Sequence, residues 1–322
     1  MHQDNGIAFA PQVTSLLHRK LLVLTGKGGV GKTTVSAALG LLAADRGLRT
    51  IVVEMGEQRR LAELFGVRSE DTGAETELRQ NLWSISIDPD RALLEWLQSL
   101  GGRVSGRVLA SSGTFQYFAA AAPGAKELIS MVKIWRLTGG RQGGRKRSDG
   151  YDLVILDAPA TGHALGMLHS PQTFGAIARV GPIASQTKQV GELLSDPARS
   201  AYLAVALPTE MAVTEALELQ DGLRRQIDRS LQAVIVNGTL PRRFSAAELS
   251  RIDGLETGET VTRSAALAAR AVHDRANFQH NQLARLRRRD FEVHSLPFLF
   301  VREVDLPAIE QLSGHLSKWV DA

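Results

Sequence analysis

The chain has 322 residues, 43% hydrophobic and 22% charged, and its 38 basic and 34 acidic side chains leave a net charge of +4. That composition suits a globular protein with a real core, and so mild a charge is by itself only weak evidence for nucleic acid or anionic lipid. There is no cysteine, which excludes disulfides, iron–sulfur clusters and thiolate zinc sites.

No apolar run approaches about 20 residues, so no transmembrane span is predicted. Residues 1–18 lack the basic-then-apolar order of a secretory signal and are expected to be a lead-in to a single domain over residues 19–322. Residues 21–24 form a short apolar run suited to a buried strand. Then comes Gly26-Lys27-Gly28-Gly29-Val30-Gly31-Lys32-Thr33, which fits GxxxxGK[ST] at every fixed position. Val35, Ala38, Leu39 and Leu42 follow at helical spacing. Strand, glycine loop and helix in that order give the motif its context. In such a loop, backbone N–H groups unobstructed by Cβ atoms surround phosphate oxygens, and the helix directs its positive end at them. The pattern assigns Gly28, Gly29, Val30 and Gly31 to the cradle, Lys32 to the β- and γ-phosphates of ATP, Thr33 to Mg²⁺, and Thr34 to the α-phosphate side.

Thr50–Met55 reads as the second strand, followed by a short helix up to Phe65 and Gly66. Residues 71–80 are polar without a period and are expected to be a loop. Leu82–Ile87 alternates as a strand does. Asp88 and Pro89 suit the N-cap and first position of a helix. Helical patterning then runs to about Leu137, broken at Gly101-Gly102 and Pro123-Gly124, so residues 88–148 are expected to form a helical insertion. Residues 139–150, rich in Gly and Arg, read as a solvated loop. An apolar strand over 151–156 delivers Asp157 to its C-terminal end, where open parallel sheets bind ligands. Its carboxylate suits a role opposite Thr33 on Mg²⁺, and Gly162 is expected to leave the following loop free to move. Residues 172–200 are expected to be partly helical. Strands over 201–207, 231–236 and 291–296 alternate with helices over 209–227, 265–289 and 307–320, and Ser245 with Glu248 forms a capping-box pattern. The alternation argues for an α/β fold, a doubly wound and mostly parallel sheet with a helical subdomain inserted.

Lys27, directly after the first glycine, resembles the deviant KGGVGKTT loop of the class that holds the septum and plasmid partition ATPases, nitrogenase iron protein and the ArsA-type ATPases. In that class this lysine reaches the partner's nucleotide across a dimer. Residues 157–171, DAPATGHALGMLHSP, resemble the signature of ArsA-type anion-transporting ATPases and of the guided-entry ATPases that target tail-anchored proteins; residues 121–135 resemble a second stretch of that family. The resemblance implies that Asn237 reads the adenine edge and that Pro297 and Phe298 close over the base. It also implies an ATPase, a homodimer or a heterodimer with a paralogous ATPase, that engages an unknown cargo or partner; the missing signal and the ATP site lead to the expectation that it is cytoplasmic. Without cysteine no zinc clasp can form, and the signature argues against nucleic acid and against more than peripheral membrane contact. The family's water-orienting aspartate falls on Gly56, flanked by Glu54 and Glu57. Glu57 is taken as its replacement, with Glu54 the alternative; if neither acts, the chain is a nucleotide-binding scaffold for a more active relative. A partition-type ATPase is a further alternative.

Overall fold

Leu21–Thr25 (β1) is buried at every position, as a central parallel strand covered on both faces must be. It pairs in parallel with Leu153–Asp157 (β5) on one side and Ser200–Ala206 (β6) on the other. The remaining strands are Thr50–Met55 (β2), Thr76–Arg79 (β3), Leu82–Ile87 (β4), Ala233–Thr239 (β7) and Glu292–Pro297 (β8). The computed structural model describes residues 13–57, 59–68, 73–100, 124–140, 150–177, 181–254 and 259–320. Among them the sheet has eight strands in the order β3-β4-β2-β5-β1-β6-β7-β8. Only the β3–β4 pair is antiparallel, so the fold is α/β with a mostly parallel sheet and flanking helices.

Lys32–Asp45 (α1) follows the glycine loop and is buried from Val35 to Ala44. It packs against the sheet and against Leu306–Val320 (α10). Arg60–Leu64 (α2) follows β2, and Pro89–Leu100 (α3) follows β4. Asp88 caps α3, its Oδ1 accepting from the Arg91 N–H at 2.7 Å. Ala125–Leu137 (α4) packs on α3 and on Thr161–Ile177 (α5), and α5 packs on Gly181–Ser195 (α6). Glu210–Ile227 (α7) starts at a Thr209 cap, and Ala246–Asp253 (α8) at the reciprocal Ser245–Glu248 capping box. Thr260–Leu286 (α9) leads into β8. Among the described residues no helix is long and apolar enough to cross a membrane.

The structure departs from the sequence reading in several places. Residues 76–79, expected to be loop, form edge strand β3; only Leu78 of the four is buried, so the composition carries no strand signature. Tyr151 lies outside β5: its N–H bonds Leu137 O at 3.0 Å and its hydroxyl Glu75 at 2.8 Å. β7 continues through Asn237 to Thr239, and α9 starts at Thr260. Of the region expected as a helical insertion, α3 and α4 are seen; residues 101–123 and 141–149 lie outside the described residues.

Candidate active site

β1 ends at Thr25, and the loop over residues 26–31 closes onto α1. Gly31, at the helix N-cap, has φ 91°, and a Cβ there would overlap the Asn237 side-chain amide. Backbone angle and close approach both demand glycine. That amide donates from Nδ2 to Val30 O at 3.0 Å, tying the end of β7 to the loop. Lys32 Nζ donates to the Gly26 and Lys27 carbonyls at 3.1 Å each, which holds the ammonium over the loop. Burial holds Lys32 below its ordinary pKa, opposed by Asp157 and reinforced by Arg60.

Asp157 ends β5, in register with Leu24 on β1 and Glu54 on β2. Its Oδ2 accepts from Thr33 Oγ1 at 2.6 Å, while its Oδ1 is buried without a hydrogen-bond partner. Burial pushes the carboxyl's pKa up; the Thr33 hydrogen bond, Lys32 and Arg60 pull it back. An unpartnered carboxylate oxygen beside a hydroxyl is an all-oxygen donor set, which fits a hard cation such as Mg²⁺. Lys32, Thr33, Thr34 and Asp157 line a cavity of about 990 Å³. Ala158 to Ala160 form part of its wall, and Gly162, expected to loosen this segment, lies instead in the first turn of α5.

Glu54 and Glu57 part company. Glu54 is 4% exposed and lines the cavity. Its Oε1 and Oε2 accept from the Leu61 N–H at 3.3 and 3.4 Å. Burial pushes its pKa up to about 7; Asp157 adds to the rise, and the Leu61 and Arg60 N–H groups and the Arg60 charge oppose it. Glu57 is exposed and is not among the lining residues. Gly56 between them has φ 95°, a left-handed angle that disfavours a side chain.

Lys27 turns away from the cavity. Its Nζ lies 2.5 Å from Glu215 Oε1 and 3.1 Å from Met211 Sδ, both on α7. Phe298 lines a separate apolar cavity of about 460 Å³ with Leu207, Pro208, Gly238, Leu240 and Phe300. Its N–H bonds Thr239 O at 2.9 Å, and Pro297 pairs with Thr239 at the end of β8. Asn237, with its amide on Val30, is not among the residues lining that apolar cavity. Sequence reasoning missed Arg60 and Glu63 on α2 and Glu303 and Asp305 before α10, which line the phosphate-side cavity. No motif marks them. Their one signal is topological: both segments follow the C-terminal ends of parallel strands.

A parallel sheet with a glycine loop leaving its central strand, and a Thr–Asp pair beside the loop lysine, defines a P-loop nucleotide-binding protein. The family model described as anion-transporting ATPase matches residues 19–183, and the chain belongs to that family, whose members are ATP-hydrolysing enzymes. It is 29% identical over 257 residues to the ATPase BagA of Mycobacterium tuberculosis, covering 78% of this chain and 74% of that one. It is 28% identical over 232 residues to the ATPase GET3 of Chaetomium globosum, covering 70% and 63%. A protein of Halobacterium salinarum named as an arsenical pump-driving ATPase is 28% identical over 256 residues, covering 74% of this chain and 38% of that one.

Proposed function

We propose that the chain is a cytoplasmic dimeric switch ATPase, in which binding and hydrolysis of Mg·ATP move the helices within residues 88–148 against a partner or cargo. The observation that carries this reading is the Thr33–Asp157 pair at 2.6 Å, with Asp157 Oδ1 left unpartnered beside Lys32. Thr33 and Asp157 would hold the metal, which would supply positive charge against the β- and γ-phosphate oxygens. Lys32 would move from the loop carbonyls onto the same oxygens. The backbone of residues 28–31 would cradle the phosphates, and Phe298 with its apolar neighbours would receive the base. Asn237 would hold the loop to β7 as well as meet the adenine edge.

The dimer rests on the family resemblance of Lys27. Its pairing with Glu215 within the chain is then a resting arrangement that must open before the lysine can reach a partner's nucleotide. Both side chains are part-exposed, at 36% and 29%, and such pairs contribute only about 0–1 kcal/mol. A phosphate contact is strong enough to replace it. The partner is a second copy or a paralogous ATPase.

Calorimetry tests the site. Wild-type protein should bind ATP more tightly with Mg²⁺ than with chelator, and Asp157→Asn should lose that difference. Lys32→Ala should bind neither form measurably. Metal dependence that survives in Asp157→Asn would overturn the assignment.

A further inference from the structure

We infer that Arg60 is a catalytic residue of this ATPase, delivered in cis by α2 so that its guanidinium contacts the γ-phosphoryl group in the transition state. The inference rests on the Mg·ATP reading of the cavity. Four observations carry it. Arg60 and Lys32 are the two cationic residues among those lining the cavity. The Arg60 charge acts on Lys32, on Glu54 and on Asp157 together. Those three groups stand at the start of α1 and at the ends of β2 and β5, around the cavity whose rim the exposed Arg60 lines. Among the described residues the Arg60 guanidinium makes no hydrogen bond or ion pair, so its five N–H donors are available to an anion. Finally, its place is fixed by the backbone. The buried Glu54 carboxylate holds the N–H groups of Leu61 and Arg60, which anchors the first turn of α2 to the strand beside Asp157.

The chemistry gives such a group a task. Water attacks the γ-phosphorus and a new P–O bond forms. The bond to the β–γ bridging oxygen breaks, its electron pair leaves with ADP, and the proton from water ends on the phosphate product. Charge spreads over the equatorial γ-oxygens and the bridging oxygen on the way. At Gly56 there is no carboxylate to orient the water, and Glu57 is exposed. Glu54, the one carboxylate of this segment that lines the cavity, is tied to the Leu61 N–H with its pKa pushed up to about 7, which leaves charge stabilisation a large share of the task. A planar guanidinium matches two phosphoryl oxygens at once, as an ammonium cannot. An arginine supplied in this way raises kcat by roughly 10³–10⁵ in other phosphoryl-transfer enzymes.

The test uses the full chain as wild type, Arg60→Ala and Arg60→Lys. Mg·ATP affinity is measured by calorimetry, turnover by phosphate release, and transition-state binding as affinity for ADP with aluminium fluoride over ADP alone. Arg60→Ala should lower kcat at least about 10²-fold, weaken ATP binding less than about tenfold, and lose the preference for the fluoride complex. Arg60→Lys should recover only part of each. If Arg60→Ala keeps the fluoride preference, or turns over within about threefold of wild type, the inference is wrong. Should the variant lose ATP affinity and leave kcat unchanged, Arg60 binds the ground state and is not catalytic. Wild-type protein that fails to bind ATP at all would instead sink the reading of the cavity.

Discussion

Glu54 makes the stability of the nucleotide-free protein depend on pH, and the size of the effect follows from its burial. Its carboxyl is pushed from the ordinary 4.5 up to about 7 in the fold, chiefly because burial disfavours the charged form. The folded state keeps this proton where the unfolded chain has already lost it. Stability from this group is therefore fully present below pH 4.5 and is lost as pH rises to about 7, above which the loss is complete. The gap of about 2.5 between the two values (7 − 4.5) corresponds to about 3 kcal/mol at 1.36 kcal/mol per unit. For a chain of this length that is roughly 5 °C in Tm. Glu54→Gln keeps an acceptor for the Leu61 N–H and removes the titration. Denaturant melts of wild type and variant, without nucleotide, at intervals from pH 5 to pH 8 should show wild type losing about 2.5 kcal/mol relative to the variant, the remainder lying below pH 5. Other titrating groups are common to both proteins and largely cancel. Parallel stability profiles, with a difference constant to within about 0.5 kcal/mol, would refute the reasoning.

Two further perturbations address the dimer and the switch. Glu215→Gln should release Lys27 and lower the ATP concentration that half-assembles the dimer by about threefold, since the lost pair is worth only a fraction of a kcal/mol; light scattering reads this, and an unchanged midpoint argues that Lys27 has no role across an interface. Gly56→Asp, the residue the family places there, should destabilise the fold by about 1 kcal/mol because of its left-handed backbone angle; a variant as stable as wild type in urea would mean the segment rearranges freely.

The glycine loop and Asp157 were legible because residue type and spacing define them. The pattern places the loop between a buried strand and a helix and the aspartate at a strand end, and the structure brings Thr33 and Asp157 together beside one cavity. β2 and β4 were readable to the residue, since a buried strand bounded by polar turns announces its ends. Edge strand β3 was not, because a strand with one buried side chain has no pattern to show. The choice between Glu54 and Glu57 was also beyond the sequence. Both are glutamates at the end of the same strand, and only the approach of α2 decides which is enclosed. Arg60 was hidden for the same reason. Its significance lies in the neighbours that Glu54 gives it, and no local pattern encodes a neighbour.

The cavity wall formed by Glu303, Val304 and Asp305 leads into α10, which packs on α1. The phosphate loop follows the first described strand of the sheet, and this wall follows the last. The cavity is therefore complete only when α10 is seated against α1, a contact between segments far apart in the chain. Loosening that helix pair would open the cavity without touching the loop itself.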